Sequence, residues 1–369
     1  MRQLIKDNRK DFFIFLFVLF LSLCLYQLQS LASRFPQLVE SYYSLGLAPT
    51  ISKWLSIVPQ FFTGSLAEGL LYGHLIIAFS ILIESVFHIA KCQWSQLIKV
   101  NLKLASYILV LYCSFMIFWG FHYLRPPIAD RLALDAKPRT IQELYTLAEQ
   151  LIDDAILHQE DMPKATDKPF NFYLNSLLVS KEMNDFSNTP IGQRIGLIRG
   201  PLSLPKGVYF SEGMSYLFIT GIYMPFTGEA NINTHVPSLL IPATIAHELA
   251  HQRGIAPEDE ANFVAYLVSK QSSNTTLRYS GTMLALIYTM NALNEKAPEQ
   301  AQMLRTRYSE GMSADFKALN TYWLQYEGEV SKAQERVNDA YLKFNQQASG
   351  VASYGEMVDL LLAYSALGN

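Results

Sequence analysis

The sequence predicts a membrane-anchored, mainly α-helical protein, with three N-terminal transmembrane helices followed by an α+β domain holding a small β-sheet. Three observations carry that expectation. Half of the 369 residues are hydrophobic and 13% are aromatic, and most of the apolar excess lies before residue 125. Beyond that point helical periodicity dominates, broken by one stretch, 196–236, rich in glycine, proline and β-forming residues. Just after this stretch comes His247-Glu248-Leu249-Ala250-His251, an H-E-x-x-H pattern that on a helix sets two imidazoles on one face.

The membrane part is expected to be residues 1–124, with spans at about 12–32, 69–90 and 104–124. The first follows a charged leader and carries no charge itself, and it is long enough to cross a bilayer. A cleaved signal peptide is the competing reading, with Ser30-Leu31-Ala32 as a weak cleavage-like site. Two further spans favour a retained helix. Between the second and third, Lys91, Lys99 and Lys103 occur without an acidic residue, so this loop and the N-terminus are expected in the cytoplasm. That places residues 33–67 and 125–369 on the extracytoplasmic side of the membrane, and the lipid bilayer becomes a partner of the chain. His74, Glu84 and His88 lie within the second span, where ionisable groups are costly. Glu84 and His88, one turn apart, are expected to pair. The net charge of -3 and the lack of a basic stripe argue against a nucleic-acid partner. Cys24, Cys92 and Cys113 all belong to the N-terminal third, so the outer domain has no thiolate ligand and no internal disulfide.

In that domain, Thr140-Ile141-Gln142-Glu143 is a capping box opening a helix to about residue 160. A loop at 161–169 and a helix at about 170–184 follow. Short strands are expected at about 206–211, 216–224 and 229–236. Pro242 suits a first helical position and Gly254 a helix end, so the motif helix covers about 242–253. A second helix opens at Pro257 and runs to about 272. The apolar segment 276–293 carries Arg278 and several small polar residues, and reads as a core helix rather than a fourth span. An amphipathic helix at about 313–347 and a last one at 356–363 complete the chain.

The motif carries the chemistry. His247 and His251 can reach one zinc ion, and Glu248 is placed to take a proton from a water there. A shuffled chain of this composition would contain the pattern roughly once in two hundred tries, so its setting must decide. A catalytic zinc needs a third protein ligand. A histidine at the offset some zinc peptidases use is excluded, because Pro257 stands there. Glu258 is the expected ligand and Glu260 the runner-up, since Glu260 points away from the face shared by Glu258, Ala261, Asn262 and Ala265. Asn262 is expected to hold the His247 ring. A dipole-favourable first turn is the alternative role for these acids.

H-E-L-A-H with Glu-x-x-Ala-Asn resembles the gluzincin metallopeptidases. The wider pattern resembles an uncharacterised bacterial family of membrane proteins with a zincin-like domain. It rests on ESYYSLGLAP (40–49), ITGIYMPFTGEANIN (219–233), TIAHELAHQRG (244–254), EDEANF (258–263) and SYGEMVDLLLAY (353–364). The resemblance implies an extracytoplasmic zinc metallopeptidase, with His247, His251 and Glu258 as ligands, Glu248 as general base and a peptide or protein as substrate. It also implies a substrate strand beside the active helix, for which 229–236 is the candidate. There Asn231, Asn233 and His235 either line a cleft or form a solvated edge. Tyr279, Arg278 and Tyr354 are candidate donors to the transition state. A non-catalytic scaffold or sensor is the rival reading, although a scaffold has no need of Glu248.

Overall fold

The computed structural model describes residues 8–137, 140–161, 170–345 and 347–367. Helices α1 (Arg9–Ala32), α3 (Leu66–Ala90) and α4 (Trp94–Phe118) are each long and apolar enough to cross a membrane. Their flanks are largely uncovered by protein, as expected of surfaces meant for lipid. Both α1 and α3 pack against α4.

The third helix starts ten residues earlier than expected, and the α3–α4 connection is only a tight turn around Lys91–Gln93 with Cys92 at φ +53°. Lys99 and Lys103 therefore belong to the first turns of α4, not to a loop. Lysine is a good helix former, and its long stem can carry the charge toward the polar boundary. Residues 120–124, expected to end the span, form a separate 3₁₀ turn with Gly120, Phe121, His122 and Leu124 buried. His88 contacts Gln93 (2.9 Å) rather than Glu84.

The segment after α1 is helical. A π-helical stretch, Val39–Leu47, runs into α2 (Ala48–Ile57). Glu40 on that stretch binds the Arg125 guanidinium through both oxygens, at 2.6 and 2.8 Å. At the start of α3 the free N–H groups of Leu66 and Ala67 donate to Glu229, at 3.1 and 2.8 Å. A carboxylate from the sheet thus caps a helix long and apolar enough to cross a membrane, satisfying donors that the helix itself cannot.

In the C-terminal part of the chain, Thr140 and Glu143 form the expected capping box for α5 (Ile141–Glu160), and α6 (Phe172–Ser187) follows. Residues 162–169, expected to be a loop, lie outside the described residues. The sheet is smaller than expected, with β1 (Lys206–Gly207), β2 (Gly221–Met224) and β3 (Glu229–Ile232). Residues 211–216, which join the first two expected strands, form a helical turn. The order is β1-β3-β2, with β3 parallel to β1 and antiparallel to β2.

The motif helix α7 is Ile241–Gln252, α8 is Glu258–Gln271, and α9 is Thr275–Lys296. Gly254 turns the chain between α7 and α8 at φ +89°, a conformation that disfavours any side chain. Pro257 stands just before α8 rather than inside it. As expected, α9 is a core helix; it lies along α5 and buries Leu277, Met283, Leu286 and Leu293. Four more helices follow: α10 (Pro298–Arg305), α11 (Glu310–Leu324), α12 (Glu329–Phe344) and α13 (Ser353–Ser365). The single helix expected over 313–347 is broken near Gly328. Helix α7 contacts α6, α8, α9 and β3, so the motif sits on the most enclosed helix of the domain.

Candidate metal centre

Helix α7 faces the core with Ile245 and Leu249, both buried. The opposite stripe turns His247 and His251 toward the start of α8. There Glu258, the first residue of α8, meets them. Its Oε2 lies 3.2 Å from His247 Nε2 and 3.4 Å from His251 Nε2, and the two imidazole nitrogens are 3.0 Å apart. A tetrahedral zinc with ligands at about 2.0–2.1 Å would hold its donors about 3.3 Å apart. The three donor atoms therefore already stand at the spacing one ion requires. Among the described residues this is the one group of three or more His, Cys, Asp or Glu side chains so arranged.

The direction of the donors fits as well. His251 Nδ1 is 2.7 Å from the Ile255 carbonyl, which fixes the proton there and turns the Nε2 lone pair into the centre. Lone pairs and a carboxylate converging in a buried space repel one another unless a proton or a metal cation sits between them. The electrostatics show how strongly the three groups act on one another. Burial would lower the His251 pKa, but the facing Glu258 and Glu248 carboxylates outweigh it and raise it to about 9. Burial would raise the Glu258 carboxyl, but the two imidazoles hold it below its ordinary range.

Glu248 occupies the neighbouring space. It is 3% exposed, and burial pushes its pKa up to about 7 against the pull of His247 and His251. Its Oε2 has no hydrogen-bond partner, while the carboxylate accepts from the Tyr223 backbone N–H. A Cβ on Gly221 would lie 2.5 Å from Glu248 Oε1. The edge strand β2 thus runs directly over Glu248.

Several expectations are redistributed. Glu260 stands apart from the three converging side chains: it binds Arg131 at 2.9 Å and accepts the Ile128 N–H, on the far side of α8 as the helical wheel implied. Asn262 shares the Glu258 face but turns to the Tyr288 hydroxyl. Asn262 Nδ2 and His247 Nδ1 are both buried without hydrogen-bond partners, so the expected link between them is not made. The candidate substrate strand is corrected, because β3 is the central strand and has no free edge. Asn231 on it and Asn233 just beyond it are both buried, Asn231 bound to Ser65 and Asn233 to Ser215 and Ile219, instead of lining a cleft. His235 contacts Tyr322 and Tyr326. Tyr279 donates to Asp315 and Arg278 to Thr275, so neither hydroxyl nor guanidinium is directed to the centre. The Tyr354 side chain lies outside the described residues.

The sequence reading missed the residues that close the site. Trp119 meets His251 edge-on at 6.1 Å between ring centres and lies 4.7 Å from the Tyr223 ring. Arg125 donates to the Gly254 carbonyl in the turn between the two ligand helices, and to the Ile195 and Gly196 carbonyls. His122 packs on Gly254, with its Nδ1 3.2 Å from the Ser44 hydroxyl. The one available signal was position: an aromatic and charged run, 119–125, directly after an apolar helix. No curated protein and no solved structure matches the chain significantly. A family model described as "Protein of unknown function (DUF3810)" matches residues 43–362, from the π-helical stretch through the ligand helices into α13, and the chain belongs to that family.

Proposed function

We propose that the protein is a membrane-anchored zinc-dependent metallopeptidase that hydrolyses peptide bonds on the extracytoplasmic side, in the bacterial cell envelope. The observation that carries this is the convergence of His247, His251 and Glu258 at ion-binding spacing beside a buried carboxylate, Glu248, with an oxygen left unpaired. His247 Nε2, His251 Nε2 and a Glu258 oxygen would hold the metal. When bound, zinc supplies Lewis acidity toward a carbonyl and makes a nearby water easier to deprotonate. Glu248 accepts that proton at its free oxygen and returns it to the leaving amine. Orientation of Glu248 comes from the Tyr223 N–H, and the ring of Trp119 excludes bulk water from the His251 side. The zincin likeness of the domain belongs to this proposal, as does the use of edge strand β2 to align an extended peptide.

The outside location rests on charge. Lys91, Lys99 and Lys103 gather at one end of the α3–α4 hairpin, and the domain is attached at the other. The positive-inside rule then assigns the lysine end to the cytoplasm. A second reading, a metal-holding scaffold or sensor without hydrolysis, draws on the burial of His251 and Glu248. Glu248→Gln separates the two. The peptidase reading expects zinc retained and hydrolysis of a degenerate peptide pool abolished; full hydrolysis by the variant contradicts it. A wild type that holds zinc and cuts nothing favours the scaffold.

A further inference from the structure

We propose that this centre acts on polypeptides that are themselves anchored in the bilayer, cutting them at the membrane surface. The inference rests on the peptidase reading above and specifies its substrate class.

The first ground is the distance from the membrane helix to the centre. Trp119 is the residue immediately after α4, and its ring touches both the His251 and Tyr223 rings. From Lys99 to Trp119 the rise is about 30 Å, the thickness of the hydrocarbon layer. With Lys99 at one boundary and Lys103 reaching toward it along its stem, Trp119 falls at the level of the opposite boundary, its ring buried in protein. The candidate ligand His251 thus lies one aromatic ring beyond the lipid edge.

The second ground is independent of α4. Helix α3 begins at the sheet, with its first N–H groups on Glu229 of β3 and Ser65 on Asn231. Glu68, in the first turn of α3, accepts the backbone N–H groups of Tyr209 (2.8 Å) and Phe210 (2.9 Å). The loop so held presents Tyr209, 97% exposed, with Phe210, Tyr216 and Phe218 also exposed. A row of uncovered aromatic side chains at the mouth of a membrane helix suits the bilayer interface, which accepts an apolar ring and a polar tip together. Two span ends and an aromatic loop therefore surround the sheet edge and the centre at one level. A chain tethered in the same leaflet meets this edge at high local concentration. The reaction itself is unchanged: the water oxygen bonds the carbonyl carbon, the C–N bond breaks, and the water proton held by Glu248 passes to the amine.

The test uses the full-length protein, loaded with zinc, in phosphatidylethanolamine–phosphatidylglycerol vesicles. A degenerate pool of short peptides is offered free in solution, and again joined to a leucine–alanine helix of about 20 residues that inserts into the same vesicles. Cleavage is read by mass spectrometry. The expected result is cleavage of the anchored pool faster by about tenfold or more, the gain from confinement to one surface, and its reduction by Tyr209→Ser with Phe218→Ser. Equal rates, or faster cleavage of the free pool, overturn the inference and leave the peptidase reading standing. Cleavage of neither pool overturns both. Depth is measured separately in a Trp54→Phe, Trp94→Phe, Trp323→Phe variant, whose remaining Trp119 should be quenched by lipids brominated in the upper acyl chain. Unquenched fluorescence overturns the placement, whatever the cleavage result.

Discussion

Replacing Arg125 by Met should loosen the unit that holds the ligand helices together. The guanidinium is 3% exposed and the Glu40 carboxylate 16% exposed. It donates twice to Glu40 and also to the carbonyls of Gly254, Gly196 and Ile195. Methionine preserves much of the stem volume but supplies no donor, so Glu40 is left buried without its partner charge. Breaking a buried pair in this way costs about 3–5 kcal/mol. In a domain of this size each kcal/mol lowers the melting temperature by about 2–4 °C, so a fall of roughly 10 °C is expected. Differential scanning fluorimetry of the detergent-solubilised full chain measures it. Adding Glu40→Gln to Arg125→Met should restore part of the loss, because the double variant buries no lone charge. The Gly254 carbonyl lies between His251 and Glu258, so zinc affinity should fall with stability. A melting temperature within about 2 °C of wild type, together with unchanged zinc affinity, would refute the argument that this residue holds the ligand turn.

Three further outcomes follow from other contacts. Gly221→Ala forces its Cβ into Glu248 Oε1 at 2.5 Å; displacing a reacting group by about 1 Å costs on the order of 10²-fold, so kcat/KM should drop that far while zinc content stays at the wild-type level. Tyr279→Phe should leave hydrolysis unchanged, since its hydroxyl serves Asp315 and Gln159; a loss of more than tenfold without loss of folding would place it in the site after all. His122 titrates well below its ordinary value because it is buried, with Arg125 and Arg131 adding repulsion. Its folded pKa is depressed, so the unfolded chain binds the proton first. The stability tied to a neutral His122 is therefore complete above about pH 6.5 and declines as pH falls below it. Melting curves between pH 7.5 and about 5 should show that decline, and His122→Gln should flatten it.

What was legible in the sequence was local. Thr140 and Glu143 cap a helix through contacts three residues apart, so the four-residue pattern suffices. Pro242 and Gly254 bound the motif helix by their own backbone preferences, and Glu258 reaches the histidines because Gly254 allows a tight reversal. The limits were equally physical. Lys99 and Lys103 looked like loop residues because charge was read as the end of a helix, whereas a lysine stem lets the helix continue. Strand order depends on pairing across many residues. The segment 229–236 thus read as a strand lining a cleft or forming a solvated edge, whereas its strand part, Glu229–Ile232, is central and the edge over Glu248 is Gly221–Met224. Arg125 and Glu40 lie 85 residues apart, and nothing in either neighbourhood announces the other. Trp119 read as the tail of a span, and only the fold brings its ring to His251.

The most direct test of the central claim is the zinc content of the purified full-length protein, measured by inductively coupled plasma mass spectrometry after removal of loosely held metal. About one zinc per chain is expected, the number a single three-donor site can hold. His247→Ala, His251→Ala and Glu258→Ala should each lose it, and Glu260→Ala and Glu248→Gln should keep it. A wild-type protein without zinc, or a zinc that survives Glu258→Ala but not Glu260→Ala, would contradict the centre described above.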